Sequence, residues 1–202
     1  TERIISPPKA DWDKLRQPLE SGEKQFAEYL DEHLPKGWEI YIQPHLNGLC
    51  PDIVILHPKI GIGVFEVKNW DFNAMQYGIE TKQNGKAHLY AINHHGEKIS
   101  YVKKNPVDQL LLYRKEILDL YCPILSRPKH SIVVSCGLVL PSATQENVET
   151  LFQPIFQSRN KKLFAPNDEA QHNGYLIFSK ENFSKNLAEN FPTGIDRISS
   201  NY

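Results

Sequence analysis

The chain has 202 residues, 40% of them hydrophobic, and a net charge of −1 from 23 basic and 24 acidic side chains. That suffices for one well-packed domain and would cramp two; it also excludes a generally basic nucleic-acid coat, so any such binding must come from a local patch or a metal-lined cleft. The three cysteines, Cys50, Cys122 and Cys136, are widely spaced and odd in number. They argue against a disulfide framework, a zinc knuckle or a four-cysteine iron–sulfur cluster, and a reducing cytoplasm is the expected setting. No apolar run is long enough to span a membrane, and no signal peptide is visible.

Residues 1–18, with Pro7, Pro8 and Pro18, read as a lead-in segment with a short turn around Trp12. A helix is expected over 21–34, capped by Ser21 and ended by Pro35-Lys36-Gly37. Phe26, Ala27, Leu30 and Leu34 form its apolar stripe, and Glu23 sits on the edge of that stripe. The helix N-terminal dipole alone would favour an acid there. Residues 38–46 alternate and read as a first strand, limited by Pro44. His45 reads as a surface or loop histidine, and Asn47-Gly48 as a turn.

The most informative stretch runs from Pro51 to Lys68. Two β-branched runs, 53–56 and 60–65, flank His57-Pro58-Lys59 and read as strands joined by a tight connection. Symmetry about Lys59 puts Asp52 directly opposite Glu66, where Cβ atoms lie about 4.5–5.5 Å apart. Two carboxylates at that range repel unless a cation sits between them. Glu66 and Lys68 share a face with Val64, while Phe65 and Val67 point the other way. A Glu-x-Lys pair on an exposed strand is commonplace. This one, however, follows Ile60-Gly61-Ile62-Gly63-Val64-Phe65, the composition of a central strand. Charges there are costly unless paired or metal-bound, and oxygen-rich sites suit magnesium or manganese.

Beyond Lys68, the segment Asn69-Trp70-Asp71-Phe72 reads as a strand exit with an aromatic plug; a functional reading places Asn69 near a substrate phosphate. Small antiparallel strands are expected over 79–82, 87–93 and 98–102. This is the most basic part of the chain, with Lys82, Lys86, Lys98, Lys103 and Lys104 against Glu80 and Glu97. Such lysines are solvated loop residues by default and phosphate contacts in the sharper reading, with Lys103 and Lys104 as the candidates. Asn105-Pro106-Val107-Asp108 opens a helix that runs to about residue 121. Gln109 and Tyr113, one turn apart, share a face of it. Residues 130–140 read as a buried strand reached by a β-α-β crossover. A helix over 144–158 should bend or end at Pro154. An irregular stretch over 161–173, a strand over 175–178, a short helix over 181–191 and an exit tail complete the chain.

Pro51-Asp52 followed by Glu66-Val67-Lys68 resembles the PD-(D/E)XK signature of restriction-endonuclease-like nucleases, and within that superfamily the nuclease-related domain, NERD. Gly22-Glu23 resembles the Gly-Glu that opens the corresponding NERD helix. Asn105-Pro106 with Gln109 and Tyr113 resembles the QxxxY helix of RecB-like nucleases and NERD domains. The likeness extends from about residue 22 to about 120. It implies an α/β fold with a restriction-endonuclease-like core: a central mixed β-sheet flanked by helices, with a small inserted β-hairpin region. The expected layout is one domain over 1–202, with its core at about 20–140 and a C-terminal extension over 141–202. The implied activity is metal-dependent hydrolysis of phosphodiester bonds in DNA, with RNA the lesser candidate. Magnesium or manganese would be held by Asp52, Glu66 and the Val67 carbonyl, with Glu23 as a third acid. Lys68 would assist deprotonation of water or stabilise phosphoryl charge, and Gln109 and Tyr113 would support the metal site or the substrate backbone. NERD domains are often fused to helicases or kinases, so the alternative is a catalytically silent nucleic-acid-binding or assembly module serving such a partner. Either way, Glu23, Asp52, Glu66, Lys68, Gln109 and Tyr113 should converge on one cleft.

Overall fold

The computed structural model describes residues 3–101, 105–121, 134–159, 175–181 and 183. In chain order it contains β1 (Ile5–Ser6), a short 3-10 helix (Lys9–Lys14), α1 (Ser21–His33), β2 (Glu39–Ile42), β3 (Ile53–His57) and β4 (Gly61–Val67). Then come β5 (Gln76–Thr81), β6 (Ala87–Ile92), β7 (Lys98–Ser100), α2 (Pro106–Glu116), β8 (Val134–Leu140), α3 (Gln145–Ser158) and β9 (Tyr175–Ser179). The last turn after α2, Ile117–Tyr121, widens to π geometry.

The β-branched runs pair as their symmetry dictates. Ile53 lies opposite Phe65, and the register continues to His57 opposite Gly61. β3 and β4 form the middle of a six-stranded mixed sheet of order β1-β2-β3-β4-β8-β9. β8 joins β4 in parallel through α2, the β-α-β crossover expected of its apolar run. β5, β6 and β7 form a separate antiparallel sheet inserted between β4 and α2, one strand larger than a hairpin.

Side-chain alternation on β4 divides the core in two. Val64 faces a layer built by α2, α3 and the insert, including Val107, Leu110, Phe152 and Phe156. Phe65 and Val67 face the other layer, built by α1 and the N-terminal residues, including Phe26, Leu30 and Trp12. Phe26 and Phe65 meet edge to face at 5.1 Å. A central strand buried on both faces leaves no room for a charge except at its end. That is where Glu66 stands.

Several elements differ from the sequence expectations. The lead-in takes part in the fold: β1 pairs in parallel with β2, and Trp12 is buried, donating its indole N–H to Pro7 O at 3.0 Å. A two-residue strand carries no period to read. The first strand stops at Ile42 because Gln43 takes a positive φ of 46°. Glu20, not Ser21, is the N-cap of α1, since the Glu23 carboxylate reaches back to the Glu20 N–H at 2.8 Å. α3 runs through Pro154, because a stripe of Val148, Leu151, Phe152, Ile155 and Phe156 is buried along it. That packing outweighs the one backbone bond proline removes. The stretch over 161–173 lies outside the described residues, as does nearly all of the helix expected over 181–191.

Arg159, just past α3, ties the layers together. Its guanidinium forms a forked pair with Asp108 on α2, and donates to Ala87 O of β6 at 3.0 Å and to Ser158 Oγ at 2.9 Å. The first turn of α2 is thereby fixed to both α3 and the insert.

Candidate active site

The site is assembled where β4 runs out. Asp52 precedes β3, and its carbonyl accepts from Gln43 N at 2.9 Å. The β3–β4 register, continued one pair outward, sets it opposite Glu66. Its carboxylate Oδ2 accepts the Val67 N–H at 2.6 Å. Glu66 is 2% exposed. Its Oε1 accepts from Lys68 Nζ at 2.5 Å, while its Oε2 is buried with no hydrogen-bond partner. The Lys68 backbone N–H extends the ladder to Val139 O at 2.8 Å, which holds the lysine at the rim of the sheet.

Helices on opposite faces of the sheet reach this rim. Glu23, in the first turn of α1, is 5% exposed and contacts Asp52. Gly22 lets α1 approach: a Cβ there would lie 3.3 Å from Pro141 Cγ and 3.4 Å from Asn69 Oδ1. Asn69 also donates to Ser21 Oγ at 2.8 Å, pinning the helix start to the strand exit. From the other face, α2 is started by Asn105, whose side chain accepts the Val107 N–H at 2.9 Å. It presents Gln109 and Tyr113, and the Tyr113 hydroxyl donates to Cys50 O at 3.5 Å. The structure therefore brings Glu23, Asp52, Glu66, Lys68, Gln109 and Tyr113 around one cleft of about 490 Å³, together with Val67 and Asn69.

The electrostatics are unusual for a resting core. Burial pushes the Asp52 carboxyl up to about 7, with Glu23 adding to it and Lys68 and the Val67 N–H opposing. Burial likewise pushes Glu66 up to about 7, reinforced by Asp52 and opposed by Lys68. Glu23 is raised too, by burial, against the lowering effect of the hydrogen bond it accepts from the Glu20 N–H. For Lys68, burial works against the charge, but Glu66 and Asp52 outweigh it and hold the ammonium above its ordinary range. Tyr113, buried beside Glu66, is held neutral. Three buried carboxyl groups thus share one ammonium, and the Asp52–Glu23 contact needs a proton or a cation between its oxygens.

The orphaned Glu66 Oε2 and the opposed Asp52 fit a hard divalent cation. Among the described residues, no group of three His, Cys, Asp or Glu side chains is arranged to hold a metal. The donor set offered is the Asp52–Glu66 pair, with Glu23 engaged by its helix cap.

The sequence reading did not single out Glu20, Gln17, Cys50, Trp70 and Tyr101, which line the same cleft. Glu20 carried a signal, an acid three residues before Glu23 in the capping-box spacing. Trp70 stood in the sequence only as part of the aromatic plug after Lys68, and Tyr101 had no signal, because the fold of the insert alone brings it here. The basic character of the insert is largely cancelled within it: Lys82 and Lys98 both pair with Glu80 at 2.6 Å. Lys103 and Lys104 lie outside the described residues.

A six-stranded mixed sheet flanked by helices, with Asp and Glu-x-Lys opposed at the end of its central hairpin, is the architecture of a nuclease-like core. The family model for the nuclease-related domain, NERD, matches residues 19–136, more than half of the chain, and the chain belongs to that family. No curated protein and no solved structure matches it. No described helix is long and apolar enough to cross a membrane.

Proposed function

We propose that this protein is a metal-dependent nuclease that hydrolyses phosphodiester bonds in DNA. The observation that carries the reading is the cluster of three buried carboxyl groups around one ammonium, with Glu66 Oε2 unpartnered. Asp52 and Glu66 would hold magnesium or manganese, with the Val67 carbonyl and Glu23 beside them. The chemistry such an ion supplies is Lewis acidity toward water and the phosphoryl oxygens.

The chain's own groups do the rest. Lys68, held cationic at Nζ by Glu66 and Asp52, would stabilise the charge that builds on the phosphoryl oxygens. Tyr113 remains protonated beside Glu66, with its hydroxyl turned to the Cys50 carbonyl. Gln109 presents an amide to the substrate backbone from the same helix face.

The second reading is a silent nucleic-acid-binding or assembly module attached to a helicase or other partner. The lack of a three-ligand group among the described residues favours it. Cleavage assays on single- and double-stranded DNA with magnesium, manganese or EDTA separate the two. The nuclease reading expects metal-dependent cleavage that Asp52→Asn and Lys68→Ala each abolish. Cleavage by Lys68→Ala at the wild-type rate removes the mechanism. Metal-independent binding without cleavage supports the module.

A further inference from the structure

Tyr101 packs at the edge of the core layer beneath the insert and also lines the cleft, where the acid cluster gives it no task. It follows β7, and its backbone N–H donates to Leu89 O at 3.0 Å, so the insert holds it firmly. Its ring is half-buried and lines the cleft. Among the described residues that ring pairs only with Trp70, tilted by 49° at 5.2 Å. Trp70 itself is held by two further rings: Tyr77 stacks on it at 4.6 Å and Phe152 lies nearly parallel at 5.9 Å. Trp70 therefore serves as a fixed backing for Tyr101, and both rings line the cleft. The Tyr101 hydroxyl has no hydrogen-bond partner among the described residues, although half-buried tyrosines ordinarily find one. The charged group that acts on it is Lys68.

We propose that Tyr101 is a substrate-contacting residue that selects an unpaired strand, its ring stacking on the nucleobase next to the phosphate held at Lys68. The assignment rests on the nuclease reading for the position of that phosphate. Every base presents a π face, so the contact needs no particular sequence. A base inside a duplex has both faces stacked and reaches Tyr101 only by being extruded, which costs its stacking and pairing. The aromatic wall therefore favours single strands, frayed ends and flaps over continuous duplex.

The test uses the full chain and two probes, fluorescein-labelled oligo(dT) and its duplex with oligo(dA). Binding is read by anisotropy with calcium in place of magnesium, and cleavage is read separately with magnesium. Tyr101→Phe keeps the ring and should preserve the preference for the single strand. Tyr101→Leu keeps the bulk against Trp70 but loses the π face. It should weaken oligo(dT) binding by roughly 5- to 100-fold and leave duplex binding nearly unchanged. Wild-type affinity for oligo(dT) in Tyr101→Leu, or equal weakening toward both probes, overturns the proposal. A magnesium-active wild type with an indifferent Tyr101→Leu sinks this inference alone. An inactive wild type whose oligo(dT) binding still depends on Tyr101 sinks the nuclease reading and leaves the stacking contact standing.

Discussion

Glu66→Gln should make this protein more stable at pH 8, and the size of the gain follows from the site. The Glu66 carboxyl moves from an ordinary 4.5 to about 7 in the folded chain. At about 1.4 kcal/mol per pH unit, keeping it ionised above pH 7 costs the folded state about 3 kcal/mol relative to the unfolded one. The sign follows from proton binding. Between about pH 4.5 and 7 the folded state holds a proton that the unfolded state has released, so stability falls as pH rises through that window. Below it both states are protonated and the penalty vanishes. Glutamine is isosteric, its amide oxygen still accepts from Lys68 Nζ, and it never ionises. Relief of the repulsion on Asp52 adds to the gain. For a chain of this size, 3 kcal/mol corresponds to roughly 6–12 °C in Tm. Melting curves of wild type and Glu66→Gln in EDTA from pH 4 to pH 9 read the effect directly. The curves should nearly coincide near pH 4 and separate by several degrees at pH 8, and magnesium or manganese should raise the wild type only. A Glu66→Gln protein that melts at or below wild type at pH 8 refutes the argument, because Glu66 would then be comfortably ionised without a metal.

Gly22→Ala sets two effects against each other. Alanine favours the helix by about 1 kcal/mol over glycine, but its Cβ must push on Pro141 and Asn69. Tm should change by only a few degrees, while cleavage falls by more than tenfold, since Glu23 is carried away from Asp52; wild-type turnover would show that Glu23 placement is immaterial. Arg159→Lys keeps the charge but cannot reproduce the forked pair with Asp108 together with the donors to Ala87 O and Ser158 Oγ. A loss of about 1–3 kcal/mol is expected in denaturant unfolding, and equal stability of Arg159→Lys and wild type would show the clamp to be slack.

The hairpin was legible from the chain alone because period-two alternation and a tight connection specify register without outside help. A one-residue slip would have turned every side chain to the wrong layer. That is why the pairing of Ile53 with Phe65, and the facing of Asp52 toward Glu66, follow from sequence. The start of α2 was legible for a similar local reason, since Asn105 and Pro106 satisfy and pre-set its first turn. Tertiary structure decided the features that depend on distant partners. β1 exists only because β2 offers it an edge. Glu23 is a cap by sequence and an acid of the cleft by packing, since Gly22 and Asn69 bring α1 to the rim. The same holds for charge: the sequence supplies Asp52, Glu66 and Lys68, but only burial between two helices pushes the carboxyl groups up to about 7. Residue type and spacing determined which groups are present and which face they share. Desolvation, which depends on everything packed around them, decided what state they are in.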